Sequence, residues 1–174
     1  MRALWQAFLL AQKVGKNLGA GKILFGEMQK MTMKQGDINL VNILTYAGTL
    51  PLIACVLSGV WPVPGFDKSL VAQTYSAVII SFLCGIHWAA FLFFPEKCPR
   101  YFLISSNVVA LLAWGTLLIS YQSIARFLPP LCFLFLFELD GRLHVKAIIP
   151  DWFYTLRRNA TAIVVMSLLA LAWL

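Results

Sequence analysis

Charge is scarce in this sequence. Only 12% of its 174 residues are charged, about half the share found in soluble domains. Histidine occurs twice and carboxylates seven times, too few for a multi-metal catalytic centre, although a single residue pair can still do chemistry. His87 and His144 have no partner histidine four residues away, so no haem-ligating pair is visible. There is no Gly-rich phosphate loop, no HExxH, no GxSxG and no Ser/His/Asp set on a soluble face. No run of gating arginines is present either. The cysteines Cys55, Cys84, Cys98 and Cys132 form neither a CxxC pair nor a zinc spacing with histidine. Three of them sit in apolar runs, where a free thiol behaves as a small hydrophobe. Neither a disulfide framework, nor a metal site, nor a cofactor is expected.

Hydrocarbon is abundant instead. Hydrophobic residues make up 60% of the chain, and the mean hydropathy is +0.80. That composition argues against a soluble globular protein and against a disordered tail. The formal charge is +7, which in a soluble protein would suggest nucleic acid. Here the basic residues fall between long apolar runs, so they read as loop charges of a membrane protein, with the lipid bilayer as partner and no nucleic acid.

Five apolar runs follow a polar arm: about Asn42 to Trp61, Leu70 to Phe94, Tyr101 to Tyr121, Ile124 to Leu139, and Ala160 to Leu174. A spanning helix needs about 20 mainly apolar residues, so the first three qualify directly. The last two are short and call for snorkelling or local thinning at their ends: Arg126 can snorkel, and Arg157 and Arg158 can extend the fifth helix into the interface. Backbone groups must be satisfied internally in lipid, which favours helices. The runs are continuous, without the alternation of a transmembrane strand. The expected architecture is therefore all-α: an integral membrane bundle of five transmembrane helices over residues 40–174. Pro51 and Pro129-Pro130 are potential kinks. Trp61-Pro62-Val63-Pro64-Gly65 is a hard stop after the first run.

Residues 1–39 form the arm. It begins with a stretch that loosely imitates a signal peptide, but no convincing cleavage site follows. Leu4 with Phe8 and Trp5 with Leu9 give an apolar face, so residues 3–17 are expected to form an amphipathic interfacial helix; a frayed terminus is the alternative. Arg2, Lys13, Lys16, Lys22, Lys30 and Lys34 lie before the first run. Lys97, Arg100, Arg142, Lys146, Arg157 and Arg158 lie in the loops after the second and fourth. The opposite side holds only Lys68 and Arg126, twelve basic residues against two. Positive residues mark the cytoplasmic side, so the N-terminus is expected inside and the C-terminus outside. A four-span alternative would lay the fifth run flat and put the C-terminus inside.

Within the second run, Ser81, Gly85 and Ala89 recur every four residues and form a small-residue stripe, a seam either inside this chain or for a partner subunit. His87 lies about 10 Å from the inner end of that run. An ionisable group at that depth is either a structural hydrogen-bonding group or a site for proton transfer or ligand binding. Its expected partners are Glu138 or Asp140, at the inner end of the fourth run. Glu138 can pair with Arg142 if the helix persists, or Gly141 can cap it. Carboxylates at a helix C-terminus face an unfavourable dipole and need a cation, for which Arg142, Arg157 and Arg158 are candidates. Pro150 fits a helix start with Asp151 as N-cap. Trp152, Tyr154, Arg157 and Arg158 read as an interfacial anchor or lipid-headgroup site.

Four segments carry a resemblance: Leu44-Thr45-Tyr46-Ala47-Gly48-Thr49-Leu50-Pro51, Ser81-Phe82-Leu83-Cys84-Gly85-Ile86-His87-Trp88, Leu139-Asp140-Gly141-Arg142-Leu143, and Pro150-Asp151-Trp152-Phe153-Tyr154-Thr155-Leu156-Arg157. Together they resemble the small integral-membrane family of unknown function that includes transmembrane protein 69. Its members occur in proteobacteria and mitochondria. The resemblance covers about residues 40–174, with Cys84 standing where a second glycine is expected. It implies a multi-span protein of the bacterial inner membrane or mitochondrial inner membrane, and brings no established activity.

Three functions follow from these features. The small size, short loops and lack of catalytic sets favour a non-catalytic accessory or assembly subunit of a larger membrane complex. A proton-linked carrier, or a lipid- or quinone-binding protein, would use His87 with Glu138 or Asp140. A membrane enzyme is the third.

Overall fold

The computed structural model describes residues 34–60, 65, 67–118 and 125–173. The surface helix expected over residues 3–17 and the Trp61–Pro64 stop lie outside the described residues. The chain divides into two compact units, Met1–Val41 and Asn42–Leu174. The described residues are all-helical, without strands. The helices are α1 (Gln35–Ala47), α2 (Leu50–Val60), α3 (Lys68–Phe93), α4 (Tyr101–Thr116), α5 (Leu128–Val145) and α6 (Asp151–Trp173), with a 3-10 turn at Ala125–Phe127 leading into α5.

Local chemistry sets these limits. Asp67 caps α3, its side chain accepting from the Ser69 and Leu70 backbone N–H groups, both at 3.0 Å. That satisfies two of the donors a helix start leaves open. Pro95 and Pro99 follow the end of α3 and stop it from running on. Pro51 is the second residue of α2, and Pro129 and Pro130 lie in the first turn of α5. First-turn N–H groups have no intrahelical acceptor, so these prolines begin helices rather than kink them. The first apolar run accordingly breaks at a turn over Gly48 and Thr49 instead of bending at Pro51.

Among the described residues, three stretches are long and apolar enough to cross a bilayer: Gln35–Gly59, Lys68–Phe93 and Asp151–Trp173. The third starts well before Ala160, where the apolar run begins. α4 has 16 residues and stops at Thr116, short of Tyr121. α5 has 18 residues and runs past Leu139 to Val145, carrying Glu138, Asp140 and Arg142 in its second half.

Within residues 42–174, α3 packs on α2, α4 and α5, while α6 packs on α2 and α5 and α4 leans on α5. Leu52, Ile80, Phe102, Leu136, Leu139 and Leu143 are fully buried in the core. The outward faces are equally apolar: Phe82, Leu92, Ile104, Leu111 and Met166 are all exposed. Exposure on that scale suits a lipid surround rather than water. In lipid an apolar side chain gains little by turning inward, so close packing and interhelical hydrogen bonds decide which helices associate. Several such bonds tie the bundle, among them three to backbone carbonyls. Tyr75 Oη donates to the Gly48 carbonyl at 2.7 Å. Gln73 Nε2 donates to the Thr116 carbonyl, joining α3 to the end of α4. Arg126 Nη1 donates to the Ala172 carbonyl at 2.9 Å.

Candidate functional site

The polar centre of the bundle is assembled from three helices at one depth. His87 lies six residues before the end of α3, Asp140 five before the end of α5, and Arg157 six after the start of α6. At a rise of about 1.5 Å per residue, all three stand about 8–9 Å from their helix ends. His87 Nε2 contacts Asp140 Oδ1 at 2.9 Å, and Arg157 Nε donates to Asp140 Oδ2 at 3.0 Å. His87 is 0%, Asp140 2% and Arg157 9% exposed. A carboxylate oxygen only accepts, so the bridging hydrogen sits on His87 Nε2. Phe102 of α4, itself fully buried, meets the imidazole edge-on with ring centroids 6.0 Å apart. Four helices therefore converge on this one group of side chains.

Helix geometry selects Asp140 over Glu138. The two are separated by two residues, about 200° around a helix of 3.6 residues per turn, so only one can face α3. Glu138 lies on the exposed side and accepts from Arg142 Nε at 3.1 Å. Arg142 also donates through Nη1 to Tyr101 Oη at 3.3 Å, and its guanidinium carbon lies 5.7 Å from the Tyr101 ring centroid. The two carboxylates at the end of α5 thus take different cations, Asp140 the buried Arg157 and Glu138 the exposed Arg142. Arg158 is exposed and pairs with neither. Arg157 directs its guanidinium inward to Asp140.

Gly141 does not cap α5, which continues to Val145. The end comes at Ala147, in the left-handed region with φ 52°. Ala147 N donates to the His144 carbonyl at 2.8 Å and Ile148 N to the Leu143 carbonyl at 3.0 Å, the two bonds of a Schellman ending. The chain then reverses into α6, which brings Arg157 alongside Asp140. Asp151 is the first residue of α6, and its side chain takes His144 Nε2 at 2.8 Å instead of acting as cap. Tyr154 stacks on His144 and on Phe137, with centroids 4.5 and 5.3 Å apart. Trp152 packs edge-on against Phe153.

The small-residue stripe faces away from this centre. Ser81 and Gly85 are exposed, Ala89 is half-buried, and a methyl group built on Gly85 would meet no atom within 4 Å. The inward face of α3 is instead Ser76, Ile80, Leu83 and His87. Two buried polar atoms there have no hydrogen-bond partner among the described residues, Ser76 Oγ and His87 Nδ1. No group of three His, Cys, Asp or Glu residues suited to a metal ion occurs among the described residues. An apolar groove of about 470 Å³ runs between α4 and α5, past Tyr101, Val108, Leu131 and Phe135, and does not reach the buried triad.

The sequence offers His87 either Glu138 or Asp140 and offers the carboxylates Arg142, Arg157 or Arg158, but does not choose among them, because nothing in a one-dimensional pattern states which side of α5 faces α3. Sequence reasoning missed Phe102, Tyr101 and the Tyr154 stack; the aromatics in the first turns of α4 and α6 were the available signal. A comparison with curated proteins finds no match, and a comparison with solved structures finds none either. The family model described as protein of unknown function, DUF3429, matches residues 39–173, a span that takes in every helix of the Asn42–Leu174 unit and all members of the triad. The chain belongs to the DUF3429 family.

Proposed function

We propose that this protein is a non-catalytic accessory or assembly subunit of a larger membrane complex, crossing the bilayer five times with its N-terminus inside and its C-terminus outside. The observation that carries this reading is the closure of the polar centre. Both oxygens of Asp140 are taken by side chains of the same chain, so the deepest charges hold the helices together instead of facing a substrate path. What remains for function is the outer surface. There the Ser81–Gly85–Ala89 stripe lets a foreign helix approach closely. The bias of twelve basic residues against two supports the orientation. The four segments quoted above support kinship with transmembrane protein 69 and an inner-membrane location.

The test is extraction in mild detergent, native gel analysis, and a Gly85→Leu variant. A complex larger than the chain itself, weakened by G85L with thermal stability unchanged, supports the proposal. A monodisperse monomer for the wild type overturns it.

One observation favours a second reading. His87 Nδ1 is buried without a partner, and an orphaned polar atom next to an ion pair suits a proton or a ligand donor. In that reading His87→Ala abolishes transport or ligand binding while the protein still folds. A wild-type phenotype for that variant removes it.

A further inference from the structure

We infer that the turn between α3 and α4, together with the end of α5, forms a binding site for the phosphate of an anionic phospholipid headgroup. The turn and Lys146 border a recess of about 430 Å³. Lys97 and Arg100 come from the turn, and Lys146 from 46 residues further on in sequence, at the C-cap of α5. Against these three cations stands one carboxylate, Glu96. Lys146 Nζ donates to the Lys97 carbonyl at 2.8 Å, which holds its ammonium beside the turn. The turn is pinned in turn by Cys98 N, which donates to the Phe94 carbonyl at 2.9 Å.

Part of the lining is apolar: Phe91, Pro95, Pro99 and the buried Cys98 stand beside the cations as a wall. That is the profile of a lipid at the level where headgroup meets acyl chain. α4 also starts here, with Arg100 at its N-cap and no side chain bonded to its first turn. Its dipole adds to the same positive field. A soluble anion would use the cations but not the apolar wall, so the phospholipid is the occupant the recess fits best. None of these residues belongs to the buried triad, and none is among the headgroup candidates on α6.

The inference rests on the membrane reading, and the experiment keeps the two apart. The full chain is purified in detergent, and binding of phosphatidylglycerol and phosphatidylcholine is measured by native mass spectrometry. Each basic side chain near an anionic surface is worth about a fivefold change in affinity, so a Lys97→Gln/Arg100→Gln variant should bind phosphatidylglycerol about twenty-five-fold more weakly. Lys146→Gln should lose about fivefold, and Lys146→Arg should retain binding. Arg158→Gln should bind as the wild type does. Inorganic phosphate at millimolar concentration should displace no lipid. Equal binding of the two lipids, unchanged binding in the double variant, or a loss confined to R158Q overturns the site; displacement by inorganic phosphate overturns the lipid as occupant. Resistance of the same variants to alkaline carbonate extraction reports separately on the membrane reading.

Discussion

Replacing Asp140 by Asn isolates the electrostatic part of the buried triad. Asparagine has nearly the same shape, and its carbonyl can still accept from His87 Nε2 across the 2.9 Å contact. What disappears is the negative charge 3.0 Å from the Arg157 guanidinium, which is 9% exposed. A cation stranded in this way costs about 3–5 kcal/mol. In a bilayer the unfolded reference state recovers part of such a loss, so about 3 kcal/mol is expected. Removing His87 instead leaves the ion pair intact and loses a hydrogen bond to a charged group, about 1.5–3 kcal/mol. The double variant Asp140→Leu/Arg157→Met removes both charges and leaves neither stranded. It should be more stable than Asp140→Leu alone. Equilibrium unfolding in mixed micelles, followed by helical circular dichroism over the full cycle, supplies each value. The reasoning fails if D140N unfolds within about 0.5 kcal/mol of the wild type, or if the two apolar replacements are simply additive.

Three further outcomes follow from local geometry. Asp67→Ala should cost about 1 kcal/mol by the same unfolding assay, since it removes the acceptor of two first-turn N–H groups of α3. Glycine is misplaced around the end of α5: Gly141 is interior to the helix and a methyl there would touch Tyr154 Oη at an ordinary 3.6 Å, while Ala147 holds φ 52°. G141A and A147G should therefore each stabilise the fold by about 0.5–1 kcal/mol, and loss of stability in either would contradict the backbone assignment. Burial pushes the Cys98 thiol above its ordinary range while nearby Lys146 pulls it back. Alkylation of Cys98 should thus accelerate with pH beyond the range of a free thiol, and Lys146→Gln should slow it at any fixed pH below that range. Faster alkylation in that variant would show that access, not ionisation, limits the reaction.

Hydropathy alone located most of the helices, because their apolar runs are long and the prolines fall between or at the start of them. The end of α5 was harder to see, because the sequence leaves open whether the helix persists through Gly141, whereas Pro150 and Asp151 mark the start of α6. Both helices extend through charged stretches, Glu138 to Arg142 and Asp151 to Arg158. Those charges remain helical because they neutralise one another, across helices at Asp140–Arg157 and along one helix at Glu138–Arg142. Spacing showed that His87 needed a carboxylate and that the carboxylates needed arginines. Choosing among them required knowing the rotation of α5 about its own axis. The small-residue stripe left a similar choice open: four-residue spacing marks a close-packing face but does not say which neighbour it meets, and on α3 that face points outward.

The reversal at Ala147 bears on how the chain is made. Asp140 and its guanidinium partner are 17 residues apart, and a ribosome adding about 5–20 residues per second leaves the carboxylate waiting about one to three seconds for its counterion. In the five-span arrangement proposed above, α5 until then offers the translocon a helix with an unbalanced acid near its end, a poor candidate for lateral release into hydrocarbon. Once α6 emerges, the hairpin is electrically neutral at that depth and finds His87 already waiting on the earlier helix. The last two helices should therefore leave the translocon together, as one inserted unit.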